Sequence, residues 1–387
     1  MGFKRAYFLT LTIIFSIGLG FVLGYAVKTK LQPTQISWPV LRQAAKILED
    51  HGYKSIPTSP ALEYGMIRGM VQAYEDPYTI FVEPVQHELE GNALTGSFGG
   101  IGVRLGRDAQ GYPILFPLPE GPAQTSGVKE GDRLLAIADQ TITPETTNEE
   151  IQAGLRGPVN EWVSIVIARP PQYSEMKFKI KRAEIPLPSV TWHLDPNVPE
   201  IGLIEINLIA ASTPTEVENA VKDLQSRGAS AFILDLRDNS GGLLTAGVDT
   251  ARLFLKDGII IEQQYRGKEI ETLRVEKPGQ LTDIPLALLI NANTASAAEI
   301  IAGALKAHQR AIVIGDKSYG KDTIQLVFDL QDNSSLHVTS AHWWIPGLQP
   351  AAAGTGIEPD IVIDSSSIQN GPDLYVTTAI HALLERQ

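Results

Sequence analysis

The apolar positions change period twice along the chain, dividing its main part into three stretches. From Trp38 to about Glu90 they recur at helical spacing. Val40, Leu41, Ala44, Ala45, Ile47 and Leu48 form one run, and Ala61 to Val71 a second, which Asp76-Pro77-Tyr78 breaks. From Gly99 to about Arg182 the pattern turns to short strands, at Ile101–Leu105, Ile114–Phe116 and Val163–Ile167. The apolar run Leu134–Ile137 and a short helix near Glu149–Leu155 complete this stretch. From about Glu200 strands and helices alternate: strands at Ile201–Ile206, Ala231–Leu236 and Leu286–Ile290, helices at Thr213–Arg227, Leu243–Leu255 and Ala295–His308. Further strands are expected at Ala311–Ile314, Ile324–Phe328 and Leu336–Thr339. Such alternation predicts an α/β core.

Ahead of these stretches, Lys4 and Arg5 precede an uncharged run from Ala6 to Val27 that closes at Lys28 and Lys30. The run is long enough to span a bilayer as one helix and longer than the apolar part of an ordinary signal peptide. Gly24-Tyr25-Ala26 offers small residues for cleavage, so both an anchor and a removed signal stay open. The expected organisation is a membrane anchor or signal segment over 1–31, a helical region over 32–96, a mostly β domain over 97–182 and an α/β core over 183–387. The bulk of the chain is then expected outside the cytoplasm, in the cell envelope.

Composition narrows the chemistry. The chain has 387 residues, 43% of them hydrophobic, and a formal charge of −12, the wrong sign for a protein that neutralises nucleic-acid phosphates. It has no cysteine, which removes disulfides, thiolate metal sites and thiol nucleophiles. Its seven histidines show no HExxH and no close pair, so no metal and no cofactor is expected.

In the β stretch, the loop Phe98-Gly99-Gly100-Ile101-Gly102-Val103, the segment GPAQTSGVKEGDRLLAI, the short helix and the closing strand follow one another in an order that resembles a PDZ domain. The glycines alone would suit a hairpin turn; the downstream segment favours the PDZ. Such a domain binds an extended C-terminal peptide by strand addition, loop N–H groups holding the carboxylate.

The catalytic signals lie in the core. A buried strand, Leu286–Ile290, runs through Asn291-Ala292-Asn293-Thr294-Ala295 to Ser296, where a helix begins. A serine there faces a positive helix terminus whose N–H groups can receive an oxyanion. Ser296-x-x-Glu299 is also a capping box, which needs no catalysis. Lys321 in GDKSYGKDTIQ shifts the balance: a desolvated lysine can serve as the base a serine needs. Alone it reads as a solvated surface charge. Gln325 follows four residues on, near enough to orient the amine if the chain bends. Gly315-x-x-x-x-Gly320-Lys321 also matches most of a phosphate loop, but Asp322 stands where Ser or Thr would hold magnesium, and a strand follows instead of a helix. In Asp235-Leu236-Arg237-Asp238-Asn239-Ser240-Gly241-Gly242, paired glycines end a buried strand and can offer a second oxyanion donor.

Together with EDPYTIFVEP, SFGGIGV, LDLRDNSGG, TASAAEIIAGAL and GTGIEPDIVI, these residues resemble the C-terminal processing peptidases, or tail-specific proteases, over nearly everything after the first segment. That resemblance implies a crotonase/ClpP-like α/β core with an inserted PDZ domain and an N-terminal helical segment. It implies Ser296 as nucleophile, Lys321 as general base and Gln325 as its orienter. The oxyanion hole would comprise N–H groups of Gly241 or Gly242 and of Ala297. It also implies protein or peptide substrates with free C-terminal tails, and leaves room for a homo-oligomer or an activating partner. Thr294, Ala298, Asp322 and the segment HWWIPGLQPAAAG depart from the commonest family pattern without removing a catalytic group. A catalytically silent or partner-activated PDZ scaffold and a crotonase-type acyl-CoA hydrolase are the competing readings. The intact Ser296, Lys321 and Gln325 speak against the first, and the PDZ and anchor against the second.

Overall fold

A computed structural model describes residues 38–348, 354–363 and 373–385. The expected span Ala6–Val27 lies outside them; among the described residues no helix is long and apolar enough to cross a membrane.

The chain divides into two units, Met1–Met70 and Val71–Gln387. Helix α1 (Pro39–His51) opens with proline in its first turn, where the missing N–H costs nothing, and buries none of its residues. Helix α2 (Ala61–Ala73) runs across the boundary between the units.

In the second unit, β1 (Ile80–Val82) follows the Asp76-Pro77-Tyr78 break, inside the stretch whose spacing is otherwise helical, and α3 (Pro84–Thr95) comes next. A strand of three residues has no pattern of its own. It is a strand because Ser335–His337 offers it an antiparallel ladder.

Strands β2 (Ser97–Gly100), β3 (Val103–Arg107) and β4 (Pro113–Pro117) come next, then the single turn α4 (Pro122–Thr125). They are followed by β5 (Asp132–Ile137), β6 (Gln140–Thr141) and α5 (Asn148–Leu155), which a Thr147–Glu150 capping box starts. Strands β7 (Trp162–Arg169), β8 (Ser174–Lys181) and β9 (Ala183–Pro186) complete the stretch. The sheet runs β3-β4-β5-β7-β8, with β6 on β5, over a core of Leu115, Leu134, Ile151, Ile165, Ile167 and Ile180. The strand predicted over Ile101–Leu105 starts two residues later, as β3, because Gly102 just before it turns the chain at a φ of +69° that suits glycine. The strand just before it, β2, stands outside this sheet and pairs with β9.

The rest comprises β10 (Val190–Leu194), β11 (Ile201–Ile206), α6 (Thr213–Ser226), β12 (Ala231–Asp235), α7 (Leu244–Phe254), β13 (Ile259–Tyr265) and β14 (Glu271–Arg274). Then come β15 (Leu286–Ile290), α8 (Ala297–Ala307), β16 (Ile312–Gly315), β17 (Thr323–Asp329), β18 (Ser335–Trp344), β19 (Ile361–Val362) and α9 (Leu374–Leu384). One sheet is β10-β11-β12-β15-β16-β19, parallel from β11 onward. Every residue of β12 and β15 is buried, because helices cover both faces. Phe232, Leu234, Leu286 and Leu288 face the layer of α6, α7 and α8, while Ile233, Ala287 and Leu289 pack toward α9. A second sheet, β1-β18-β13-β14 with β17 on β18, lies beyond. The loops that leave the carboxyl ends of the neighbouring strands β12 and β15 meet where open parallel sheets commonly place their sites.

Candidate active site

The loop after β15 is knotted by its own side chains. Asn291 N–H donates to Thr294 Oγ1 at 3.0 Å, and that hydroxyl donates to the Leu236 carbonyl at 2.8 Å. Ala295 N–H reaches the Asn239 carbonyl at 2.9 Å. The chain therefore enters α8 at a fixed angle, with Ser296 at φ 56° and ψ −122°. A side chain at positive φ costs about 1–3 kcal/mol, held here by the surrounding bonds.

The Asp235–Gly242 turn closes on that serine. Gly241 has φ +104°, and a Cβ there would sit 2.8 Å from Ser296 Cβ and 2.9 Å from the Ala295 carbonyl, so only glycine fits. Gly242, at φ +145°, lies equally tightly on the Ile209 carbonyl. Buried Asn239 clamps the turn: its side chain donates to the Ile206 carbonyl at 2.6 Å and accepts the Gly241 N–H at 2.8 Å. Of the two candidate glycine donors, Gly241 is thus engaged. No hydrogen bond among the described residues uses the N–H of Gly242 or of Ala297, at the open end of α8.

Glu299 ties the serine to the lysine. Its buried carboxylate accepts Ser296 N–H at 2.8 Å, Lys321 N–H at 2.9 Å, Gly320 N–H at 2.7 Å and the Ser318 hydroxyl at 2.6 Å. Burial pushes its pKa above the ordinary carboxylate value, against the pull of those four donors. The Lys321 loop is held further: Tyr319 N–H donates to the Thr294 carbonyl at 2.9 Å, Ser318 N–H to the Ile357 carbonyl at 3.1 Å, and Ile357 N–H to the Ser318 hydroxyl at 2.6 Å. The capping box thus reaches into a second loop, which its sequence spacing does not reveal.

Lys321 is half-buried, and desolvation lowers its pKa, opposed by the charges of Glu299 and Asp76. Its amine makes no hydrogen bond to Ser296 or Gln325 among the described residues. Gln325, beside a bulge in β17, donates instead to the hydroxyls of Thr323 at 3.0 Å and Thr339 at 3.4 Å. Sequence reasoning gave no task to Asn239, Thr294, Ser318, Asp76 or Tyr78. EDPY and the serine loop were visible as family signatures, but their contacts cross between distant segments. Trp343 is buried on the second sheet, and Trp344 donates to Glu262 at 2.8 Å. Residues 349–353 of the variant loop lie outside the described residues.

The β stretch carries a second candidate site. A groove of about 340 Å³ between β3 and α5 is lined by Phe98, Gly100, Ile101, Gly102, Val103 and Leu155, among others. Gly99 is absent from this lining; its carbonyl accepts the Gly157 N–H at 3.0 Å and it packs directly on that residue. The Arg156 guanidinium lies over the Phe98 ring, 4.4 Å from its centroid. The N–H groups of Ile101 and Gly102 make no hydrogen bond among the described residues. No group of three or more His, Asp or Glu side chains among the described residues is arranged to hold a metal ion.

Comparison with known proteins follows the same division. Residues 117–169 match the PDZ domain model and residues 200–363 the model of peptidase family S41. The carboxyl-terminal-processing protease of a Picosynechococcus species is 35% identical over 79% of this chain and 74% of its own. The carboxy-terminal-processing protease of Bartonella bacilliformis is 31% identical over 81% of this chain and 72% of its own. The solved structure of a photosystem II D1 C-terminal processing protease aligns with 84% of this chain and 88% of its own, at 26% identity and a TM-score of 0.44. Relatives that share this much sequence over this much of their length settle the family: the chain is a PDZ-containing member of the carboxyl-terminal-processing serine proteases, in peptidase family S41.

Proposed function

We propose that the protein is an endopeptidase that takes the C-terminal tail of a protein substrate in its PDZ groove and cuts peptide bonds with a Ser/Lys pair. The observation that carries this reading is the Glu299 carboxylate, which gathers the backbone of Ser296 and of the desolvated Lys321 on one acceptor. Neutral Lys321 takes the Ser296 proton as Oγ attacks the peptide carbonyl. The N–H groups of Ala297 and Gly242 receive the oxyanion, and Gly241 joins them only when Asn239 releases it. The lysine ammonium then protonates the leaving amine, an ester remains on Ser296, and water deprotonated by the same lysine hydrolyses it. Gln325 orients the amine once its carboxamide turns from the threonines. In the groove, the N–H groups of Ile101 and Gly102 suit a terminal carboxylate and Phe98 an apolar last side chain.

A partner-activated form of this enzyme has specific support: the serine and lysine are not hydrogen-bonded, and the Gly241 donor is occupied. The parallel sheet with its paired-glycine turn supports a crotonase/ClpP-like core over 183–387, and the groove supports a PDZ domain over 97–182. The uncharged run Ala6–Val27 supports attachment to or export across a membrane, with the protease in the cell envelope.

The test is cleavage of an unstructured protein with an apolar free C-terminus by the chain from Gln32 onward, read by mass spectrometry. Ser296→Ala and Lys321→Ala should each abolish it, and an amidated tail should be cut more slowly. Cleavage that survives Ser296→Ala would overturn the nucleophile.

A further inference from the structure

The lysine amine has a neighbour that the Ser/Lys reading leaves without a task. Lys321 Nζ lies over the face of Tyr78, 5.1 Å from the ring centroid. The turn that carries this ring is pinned. Asp76 accepts the Tyr78 N–H at 3.2 Å and the Thr79 hydroxyl at 2.5 Å, and Thr79 Oγ1 accepts the Thr339 N–H at 3.2 Å from β18. Burial would raise the Asp76 pKa, but hydrogen bonds from the Thr339 and Thr79 side chains and nearby N–H groups outweigh it, so the carboxyl stays ionised beside the amine. The charged and titratable groups facing Lys321 are Glu299 from α8, Asp76 and Tyr78 from this turn, and His337 from β18, while Tyr319, hydrogen-bonded to the Tyr78 side chain, and Asp322 face the ring from the lysine's own loop.

We propose that Tyr78 is a positioning residue for the general base: its ring face parks the Lys321 ammonium away from Ser296, with Asp76 as counter-charge. The inference rests on the Ser/Lys reading. An aromatic face attracts a cation through its quadrupole and offers little to a neutral amine, and the attraction grows where water is excluded. The ring therefore stabilises the resting, protonated lysine, and the amine must leave it to reach the serine. Burial acts in the opposite direction on the same proton. Tyr78 thus sets how much of Lys321 is neutral and free at a given pH.

The experiment follows kcat/KM against pH for peptide cleavage by wild type, Tyr78→Leu, Tyr78→Phe and Asp76→Asn. Alongside it, the Lys321 side chain is titrated through its 13Cε resonance, which needs no turnover. The base works when neutral, so activity falls as pH drops through its pKa. Removing the ring while keeping an apolar side chain removes support for the cation. Tyr78→Leu should then move both the acid limb and the Lys321 titration about half to one pH unit lower. Asp76→Asn should shift them the same way, and Tyr78→Phe, which keeps the ring, should restore the wild-type values. If Tyr78→Leu does not fold, Tyr78→Met, which also replaces the ring by an apolar side chain, carries the test with the same expected shift. Activity lost equally at every pH with the Lys321 titration unmoved overturns the proposal, provided Lys321→Ala is inactive. Full activity in Lys321→Ala would instead sink the Ser/Lys reading, and this proposal with it.

Discussion

A carboxylate with four donors cannot be exchanged for an amide without loss. Glu299 uses Oε1 for Ser318 and Gly320 and Oε2 for Ser296 and Lys321. In Glu299→Gln the new NH2 must face two donors in a dry site, leaving them unsatisfied. We expect a stability loss of roughly 1–3 kcal/mol and a fall in kcat/KM of at least about tenfold, read by thermal unfolding and by peptide cleavage. A change in neither would make Glu299 a plain helix cap. Ser296 and Lys321 stood out as candidates because their short motifs sit together with the paired-glycine turn, although each alone reads as an ordinary cap or surface charge. The role of Glu299 did not: the capping spacing accounts for one of its bonds, and the other three come from a loop about twenty residues on.

At the scale of elements, the strands that read well are those with a continuous apolar run or an apolar alternation, as in β12, β15 and β7. β12 and β15 are continuous apolar runs, whereas β8, β10 and β14 carry exposed polar residues and β1 is only three residues long. Their pairing comes from neighbours, as Ile80–Val82 pairs with Ser335–His337. The Gly241–Gly242 turn gives a test that separates the two candidate sites. In Gly241→Ala the added Cβ meets Ser296 at 2.8 Å from a backbone already at positive φ. Cleavage should fall below about 1% of wild type, while binding of a free-tailed peptide, followed by calorimetry, stays within about twofold. Equal loss of both would mean that the substitution disturbs more than the serine.

Across the whole second unit, Arg237 joins the paired-glycine turn to the last helix. It pairs with Asp235 through Nε at 2.9 Å, with Asp373 at 2.9 Å, and lies over the Tyr375 ring, 4.9 Å from its centroid. Tyr375 in turn donates to Asp316, at the start of the lysine loop. Arg237→Ala leaves buried Asp235 without its cation, so we expect a loss of about 3 kcal/mol, seen as a Tm lower by several degrees. An unchanged Tm would show that α9 is held by its apolar face alone. Composition, periodicity and short motifs by themselves pointed to the α/β core and the β stretch before it, and marked the serine, lysine and paired glycines as candidates, because each of these is written in contiguous residues. Only the tertiary structure decided that Glu299 serves two loops, that Asn239 holds the N–H of Gly241, and that Gln325 turns to threonines while Tyr78 meets the amine. The physical reason is that these are contacts between segments far apart in sequence, and hydrogen bonds and ring contacts act over a few ångströms that only the folded sheets bring together.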